Sequence, residues 1–162
     1  MKLPLAPTGK TPTRSPTDED VAPAVLAKLG LDLEEAFEEA GGPIGTDVLV
    51  QLAADRGKSV GEYYAAAALA ADIELASPHP IQLVFCAGTC QRWGAIGAID
   101  RAVAIWERRA DKGDPGFDVL SRRCLDKCDQ AAVCEVRTPD GTSTLTQVSP
   151  ASIEAALTEL LG

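Results

Sequence analysis

The sequence predicts an α/β protein in two parts: a small helical region, then a half in which strands and helices alternate. Three observations predict it. Apolar residues recur at helical spacing as far as about Leu75 and then give way to short continuous or alternating apolar runs. Clusters of turn formers punctuate the chain, at Gly41-Gly42-Pro43, Ser77-Pro78-His79-Pro80, Asp111–Gly116 and Thr138-Pro139-Asp140-Gly141. Four of the five cysteines form two C-x3-C pairs, Cys86/Cys90 and Cys124/Cys128, and each pair follows a predicted strand.

At 162 residues the chain has room for one compact domain and some extra elements. No apolar run approaches the roughly 20 residues of a membrane-spanning helix, so no membrane insertion is expected. Met1–Leu5 carries one lysine and no apolar h-region of a secretory signal. The expected location is therefore cytoplasmic, a reducing compartment where paired cysteines more often serve metal or redox chemistry than structural disulfides. The formal charge is -9, with 6 basic and 13 acidic residues up to Pro78 and 9 and 11 beyond it. No basic stripe exists to follow a phosphate backbone, which disfavours nucleic-acid binding. The acidic first half reads as a solvated face, or as a surface that steers a basic partner.

Residues 1–20 hold four prolines, several threonines and the triplet Asp18-Glu19-Asp20, and are expected to form a flexible proline-rich tail. Val25, Leu26, Leu29, Leu31 and Leu33 begin a first helix, continued by Ala36 and Phe37 and stopped by Gly41-Gly42-Pro43. Thr46 is expected to cap a second helix, with Val48, Leu49 and Leu52 on one face and an end at Gly57. Ser59 and Glu62 form a capping box for a third, expected to run to about Leu75. Three helices with such small apolar faces need something to pack on, either the second half or another subunit. His79, the sole histidine, is flanked by prolines and reads as an exposed linker residue.

Ile81–Phe85 is a short apolar run suited to a buried strand. Ile96, Ile99, Val103 and Trp106 recur at helical spacing, and Arg108-Arg109 suits the C-terminal end of that helix dipole. Phe117–Ser121 predicts a second strand. Ala132, Cys134 and Val136 alternate with Val133, Glu135 and Arg137 as a third, and Thr142–Val148 returns across a hairpin turn. Ser149-Pro150 opens a last helix with Ile153, Ala156, Leu157, Leu160 and Leu161 in one stripe. The order β-α-β-β-α is a thioredoxin-like arrangement, with both cysteine loops at strand ends.

Loops leaving the same end of neighbouring strands can converge, and four thiolates then make a soft, anionic site. Softness selects zinc or an iron-sulfur centre over magnesium or calcium. Structural zinc sites usually use C-x2-C knuckles or include histidine, whereas a [2Fe-2S] cluster takes four thiolates. The C-x3-C spacing therefore favours iron-sulfur, with zinc and disulfide or unrelated thiols as the remaining readings. Gly88 would let backbone amides approach the inorganic sulfides, Thr89 adds a hydroxyl donor, and Gly94 would allow close helix packing. Cys90, just before a helix, is expected to gain thiolate stabilisation from N-terminal amides. Around the second loop Arg122, Arg123 and Lys127 outnumber Asp126 and Asp129, and positive charge beside a cluster raises its potential. Cys134 shares a strand face with Ala132 and Val136 and reads as a small buried hydrophobe.

On Val84-Phe85-Cys86-Ala87-Gly88-Thr89-Cys90 with Arg92 and Gly94-Ala95, then Cys124-Leu125 and Cys128, the chain resembles the thioredoxin-like [2Fe-2S] ferredoxin family. That family includes the peripheral-arm [2Fe-2S] protein of bacterial respiratory complex I and the small diaphorase subunits of NAD-linked hydrogenases and formate dehydrogenases. The similarity covers roughly residues 43–162, with Val60-Gly61-Glu62-Tyr63-Tyr64 in the helical lead-in. Here the first pair is one residue closer than the family's C-x4-C. Asp126 replaces the glycine of its C-L-G-x-C loop, and Ala131-Ala132 replaces its Ala-Pro.

The chain thus divides into residues 1–20 as a tail, 21–78 as a helical docking region and 79–162, which the resemblance implies to be a thioredoxin-like [2Fe-2S] domain. Cys86, Cys90, Cys124 and Cys128 would ligate the cluster, and the chain would be an electron-transfer subunit of an NAD(H)-linked oxidoreductase. FMN and NAD would sit on a partner diaphorase subunit, since no Gly-rich nucleotide loop is present here. No nucleophile-base pair is recognisable either, so no catalytic residue is expected on this chain. A stand-alone ferredoxin and a zinc-stabilised interaction module without a redox role are the alternatives.

Overall fold

The computed structural model describes residues 19–162, so the tail expected over residues 1–20 lies outside the described residues except for Glu19 and Asp20. Three helices come first: α1 (Pro23–Ala40), α2 (Thr46–Arg56) and α3 (Val60–Leu69). The α/β half follows as β1 (Gln82–Cys86), α4 (Ala95–Ala110), β2 (Asp118–Arg122), β3 (Cys134–Thr138), β4 (Gly141–Leu145) and α5 (Pro150–Leu161). Single 3-10 turns at Thr89–Trp93 and Cys128–Gln130 carry parts of the two cysteine loops. Among the described residues, no helix is long and apolar enough to cross a membrane.

The four strands form one mixed sheet in the order β2-β1-β3-β4. β1 and β2 run parallel, joined by the α4 crossover, with Leu83 opposite Val119 and Cys86 opposite Arg122. β1 and β3 are antiparallel, with Phe85 opposite Cys134, and β3 and β4 form the expected hairpin. β1 is central and buried from Leu83 to Cys86, which is why its residues read as a continuous apolar run rather than an alternating one.

One apolar core joins both parts of the chain, from Leu26, Leu29 and Leu33 on α1 through Leu83, Phe85 and Ile99 to Ile153 and Leu157 on α5. Fully burying a side chain such as Ile153 or Leu157 is worth about 1.5–3 kcal/mol, so the stripe of α5 holds that helix on α4. The three N-terminal helices find their cover within the chain, because α3 lies against both α4 and β2. Gly61 permits that approach: a Cβ there would stand 2.6 Å from the Ile96 carbonyl oxygen. Its N–H donates to Asp100 Oδ1 on α4 at 2.6 Å, and burial raises the Asp100 carboxyl above its ordinary pKa.

Several expectations need correction. Thr46 is the first residue of α2 and not its cap; Gly45 takes the cap position without a side-chain bond. The Thr46 hydroxyl instead shares a 2.7 Å hydrogen bond with the buried Tyr64 phenol. The capping box of Ser59 and Glu62 forms as expected, but α3 stops at Leu69. The chain then turns so that Leu75 can bridge Ile44, with the Ala76 N–H donating to the Ile44 carbonyl at 2.7 Å. Within the stripe expected on α5, Leu160 is exposed. His79 is no free linker residue: its backbone N–H donates to Asp118 Oδ2 at 2.8 Å, and its Nδ1 lies 2.7 Å from Asp118 Oδ1. Asp118 is itself buried at the start of β2. This contact pins the junction between the helical region and the sheet.

Candidate functional site

Both cysteine pairs lie at the C-terminal ends of the parallel neighbours β1 and β2. Cys86 is the last residue of β1, and its N–H donates to the Val133 carbonyl at 3.1 Å. The next residue crosses to the other neighbour, Ala87 N–H donating to the Arg122 carbonyl at 2.8 Å. The first loop therefore leaves the sheet clamped between the strand ends that lead into and out of the second loop. From there Thr89–Trp93 makes a 3-10 turn, and Gly94, at φ +94°, turns the chain into α4. That left-handed conformation is one only glycine adopts freely.

The second loop begins after β2 and folds back against the first. A Cβ on Gly88 would lie 2.3 Å from the Arg123 carbonyl oxygen, so the small size of Gly88 serves contact between the two loops. Across this contact, Cys86 Sγ lies 3.7 Å from the Arg123 carbonyl oxygen, which accepts from its thiol. The Leu125 backbone N–H is directed at the same sulfur. Asp126 has φ +59°, a left-handed conformation that aspartate tolerates better than most residues. This bend lets the Asp126 N–H donate to Cys124 Sγ at 3.2 Å.

The thiols assemble as two pairs. Cys86 and Cys90 bias each other's ionisation in opposite directions. Cys86 is held well below the ordinary thiol range by Cys90 and by the N–H groups of Gly88, Leu125 and Cys90, against the opposing effect of burial. Cys90 is pushed up, first by its bond to Cys86 and then by burial. Cys90 sits in the 3-10 turn five residues ahead of the start of α4, and the Val133 N–H favours charge on its sulfur. In the other pair, Cys124 Sγ and Cys128 Sγ are 3.8 Å apart. Cys86, Cys90 and Cys128 are buried, whereas Cys124 is exposed. The pairs are close enough for Cys128 to contribute to the upward shift of Cys90. Among the described residues, however, no three His, Cys, Asp or Glu side chains are gathered as a ready-made metal site. The donor set itself, four thiols on two touching loops with backbone N–H groups serving Cys86, Cys90 and Cys124, fits a thiolate-ligated cluster.

Cys134 stands apart. It is fully buried on β3 opposite Phe85, and burial pushes its thiol up. Arg123, one of the basic residues around the second loop, reaches to the Leu69 carbonyl at the end of α3, 3.4 Å away.

Gln91 and Asp118 carry roles that sequence reasoning missed. The buried Gln91 amide donates to the Ala87 carbonyl at 2.9 Å and accepts from the Val21 N–H at 2.7 Å. Next to it Arg92 pairs with Asp20 at 3.1 Å. The chain entering α1 is thereby fastened to the first cysteine loop. A polar residue directly after Cys90 was the one local signal, and its partner 70 residues away has no trace in the spacing.

No protein-family model matches the chain, and no curated protein matches it.

Proposed function

We propose that this chain is an electron-transfer subunit with a thioredoxin-like fold, carrying one [2Fe-2S] cluster on Cys86, Cys90, Cys124 and Cys128. The observation that supports this best is the direct contact between the two C-x3-C loops at the ends of β1 and β2, made through Gly88, Arg123 and the Cys86 sulfur. The sheet order β2-β1-β3-β4, with a helical crossover between its parallel strands, is compatible with such a fold. Asp126 also supports the likeness to the ferredoxin family, because its left-handed backbone stands where that family has glycine.

The cluster would supply one-electron acceptance and donation. The residues of the chain supply its setting. N–H groups of Gly88, Cys90 and Leu125 face Cys86, that of Asp126 faces Cys124, and such donors stabilise negative charge on sulfur. Burial of Cys86, Cys90 and Cys128 excludes water from most of the site, and the exposed Cys124 marks the edge nearest solvent. FMN and NAD would belong to a diaphorase-type partner subunit, with the acidic helical region as the docking face.

Anaerobic purification of the chain and a visible spectrum test the reading. Brown protein with iron and acid-labile sulfide in equal amounts is expected. Colourless protein carrying stoichiometric zinc would overturn it in favour of an interaction module.

A further inference from the structure

Cys124 and Cys128 differ in access although their sulfurs are 3.8 Å apart. Cys124 is exposed, on a loop bent by the left-handed Asp126, and receives that residue's N–H at 3.2 Å. The Asp126 carboxylate Oδ1, 3.8 Å from the same sulfur, accepts a hydrogen bond from its thiol. Cys128 is only 7% exposed. The other thiols are shut away, with Cys86 at 2% and both Cys90 and Cys134 at 0%. A small oxidant can therefore meet one sulfur directly, and a second sulfur waits beside it.

We propose that, when no metal occupies them, Cys124 and Cys128 form a redox-active dithiol that reacts with low-molecular-weight disulfides, Cys124 attacking and Cys128 resolving. In the first step the Cys124 thiolate attacks one sulfur of a disulfide such as oxidised glutathione. The S–S bond breaks, a mixed disulfide forms on Cys124, and one glutathione thiolate leaves and takes up a proton. In the second step the Cys128 thiolate attacks Cys124 Sγ and displaces the other glutathione thiolate, which is protonated in turn. The two cysteines lose two protons and two electrons, and the small disulfide gains them as two thiols. The sulfurs must close from 3.8 Å to about 2.05 Å, a movement within reach of side-chain rotation in a short loop. The order of attack follows from access, because the attacking sulfur must line up with the S–S bond of the small disulfide, which a buried sulfur cannot reach.

The proposal does not depend on the iron-sulfur reading, and its test uses the full chain, reduced and stripped of metal by a chelator. After incubation with oxidised glutathione, the protein is alkylated and digested with trypsin, which cuts at Lys127 between the two cysteines. Peptide 124–127 is expected disulfide-linked to peptide 128–137, with fragmentation placing the bridge on Cys128 and the alkyl group on Cys134, and with Cys86 and Cys90 recovered alkylated. Cys128→Ser should trap glutathione on Cys124, and Cys124→Ser should slow glutathione addition at Cys128 by at least about tenfold. A first bridge between Cys86 and Cys90 overturns the proposal. So does equal reactivity of Cys124 in Cys128→Ser and of Cys128 in Cys124→Ser. The linkage map of the unsubstituted chain needs no variant to fold. A chain isolated colourless that still forms this bridge would retain the proposal while sinking the cluster, and a brown chain that never forms it once stripped would do the reverse.

Discussion

Replacing Gly88 with alanine should force the two cysteine loops apart. The added Cβ would sit 2.3 Å from the Arg123 carbonyl oxygen, where ordinary contact begins near 3.4 Å, so the gap must open by roughly 1 Å. The obstructing atom is backbone, tied to the end of β2, and no rotamer change can relieve the clash. Overpacking of this kind costs about 1–3 kcal/mol. For a chain of this size each kcal/mol lowers Tm by about 2–4 °C, which puts the expected loss at about 2–12 °C. The same opening carries Cys124 and Cys128 away from Cys86, so iron and sulfide per chain should fall as well. Gly97→Ala is the control: its Cβ would meet only Pro150 Cγ at 3.9 Å, and in the interior of α4 alanine is favoured over glycine by about 0.5–1 kcal/mol. Thermal unfolding followed by circular dichroism, with metal and sulfide analysis of the same samples, reads both effects. If Gly88→Ala unfolds at the parent temperature with undiminished iron and sulfide, the loops do not depend on this contact.

His79 has its pKa raised, chiefly by its hydrogen bond to Asp118. Its charged form therefore stabilises the fold fully below the ordinary histidine pKa of about 6.5, and that contribution is lost as pH rises through the elevated folded-state value; Tm measured across this window should fall in the parent and lose that component of its slope in His79→Gln. Gln91→Leu leaves the Val21 N–H and the Ala87 carbonyl without the amide that joins them, and urea unfolding should show a loss of about 1–3 kcal/mol. Cys134→Ala should keep the visible spectrum and iron content of the parent, whereas alanine at Cys86, Cys90, Cys124 or Cys128 should each abolish them. A colour change with Cys134→Ala would show that the ligand set has been misassigned.

Elements with strong local signals were legible in the sequence. The stripe of α4, the Ser59–Glu62 capping box and the β3–β4 hairpin turn each carry their own instructions, and all form. The errors fall where a distant partner overrides local preference. Thr46 resembles a cap, but its hydroxyl is taken by Tyr64. The alanines after Tyr64 favour a helix as far as Leu75, but the helix must stop early for Leu75 to reach Ile44. Flanking prolines made His79 look solvent-exposed, yet its partner Asp118 lies 39 residues further along the chain. At the candidate site the pairing of the cysteines could be read from spacing alone. The bond from Cys86 to the Arg123 carbonyl could not, because the contact exists only once β1 and β2 lie side by side.

The short first loop now has a physical counterpart. With three residues between them, Cys86 and Cys90 bias each other's ionisation, and the N–H groups of Gly88, Leu125 and Cys90 favour charge on Cys86. The second loop makes the same compromise by another route, since the bend at Asp126 leaves Cys124 and Cys128 only 3.8 Å apart. Tight pairing suits a two-iron cluster, in which each pair serves one metal, and it equally suits thiol–disulfide exchange. What separates the two chemistries is the fourth sulfur. Three thiols are shielded by the sheet and the loops, and Cys124 alone faces solvent. A bound cluster would take Cys124 out of reach of small disulfides, so its accessibility reports the state of the whole site. Alkylation of Cys124 in the isolated chain should therefore be slow with the cluster bound and fast once iron is removed, and a rate that iron does not change would show that Cys124 is not a ligand.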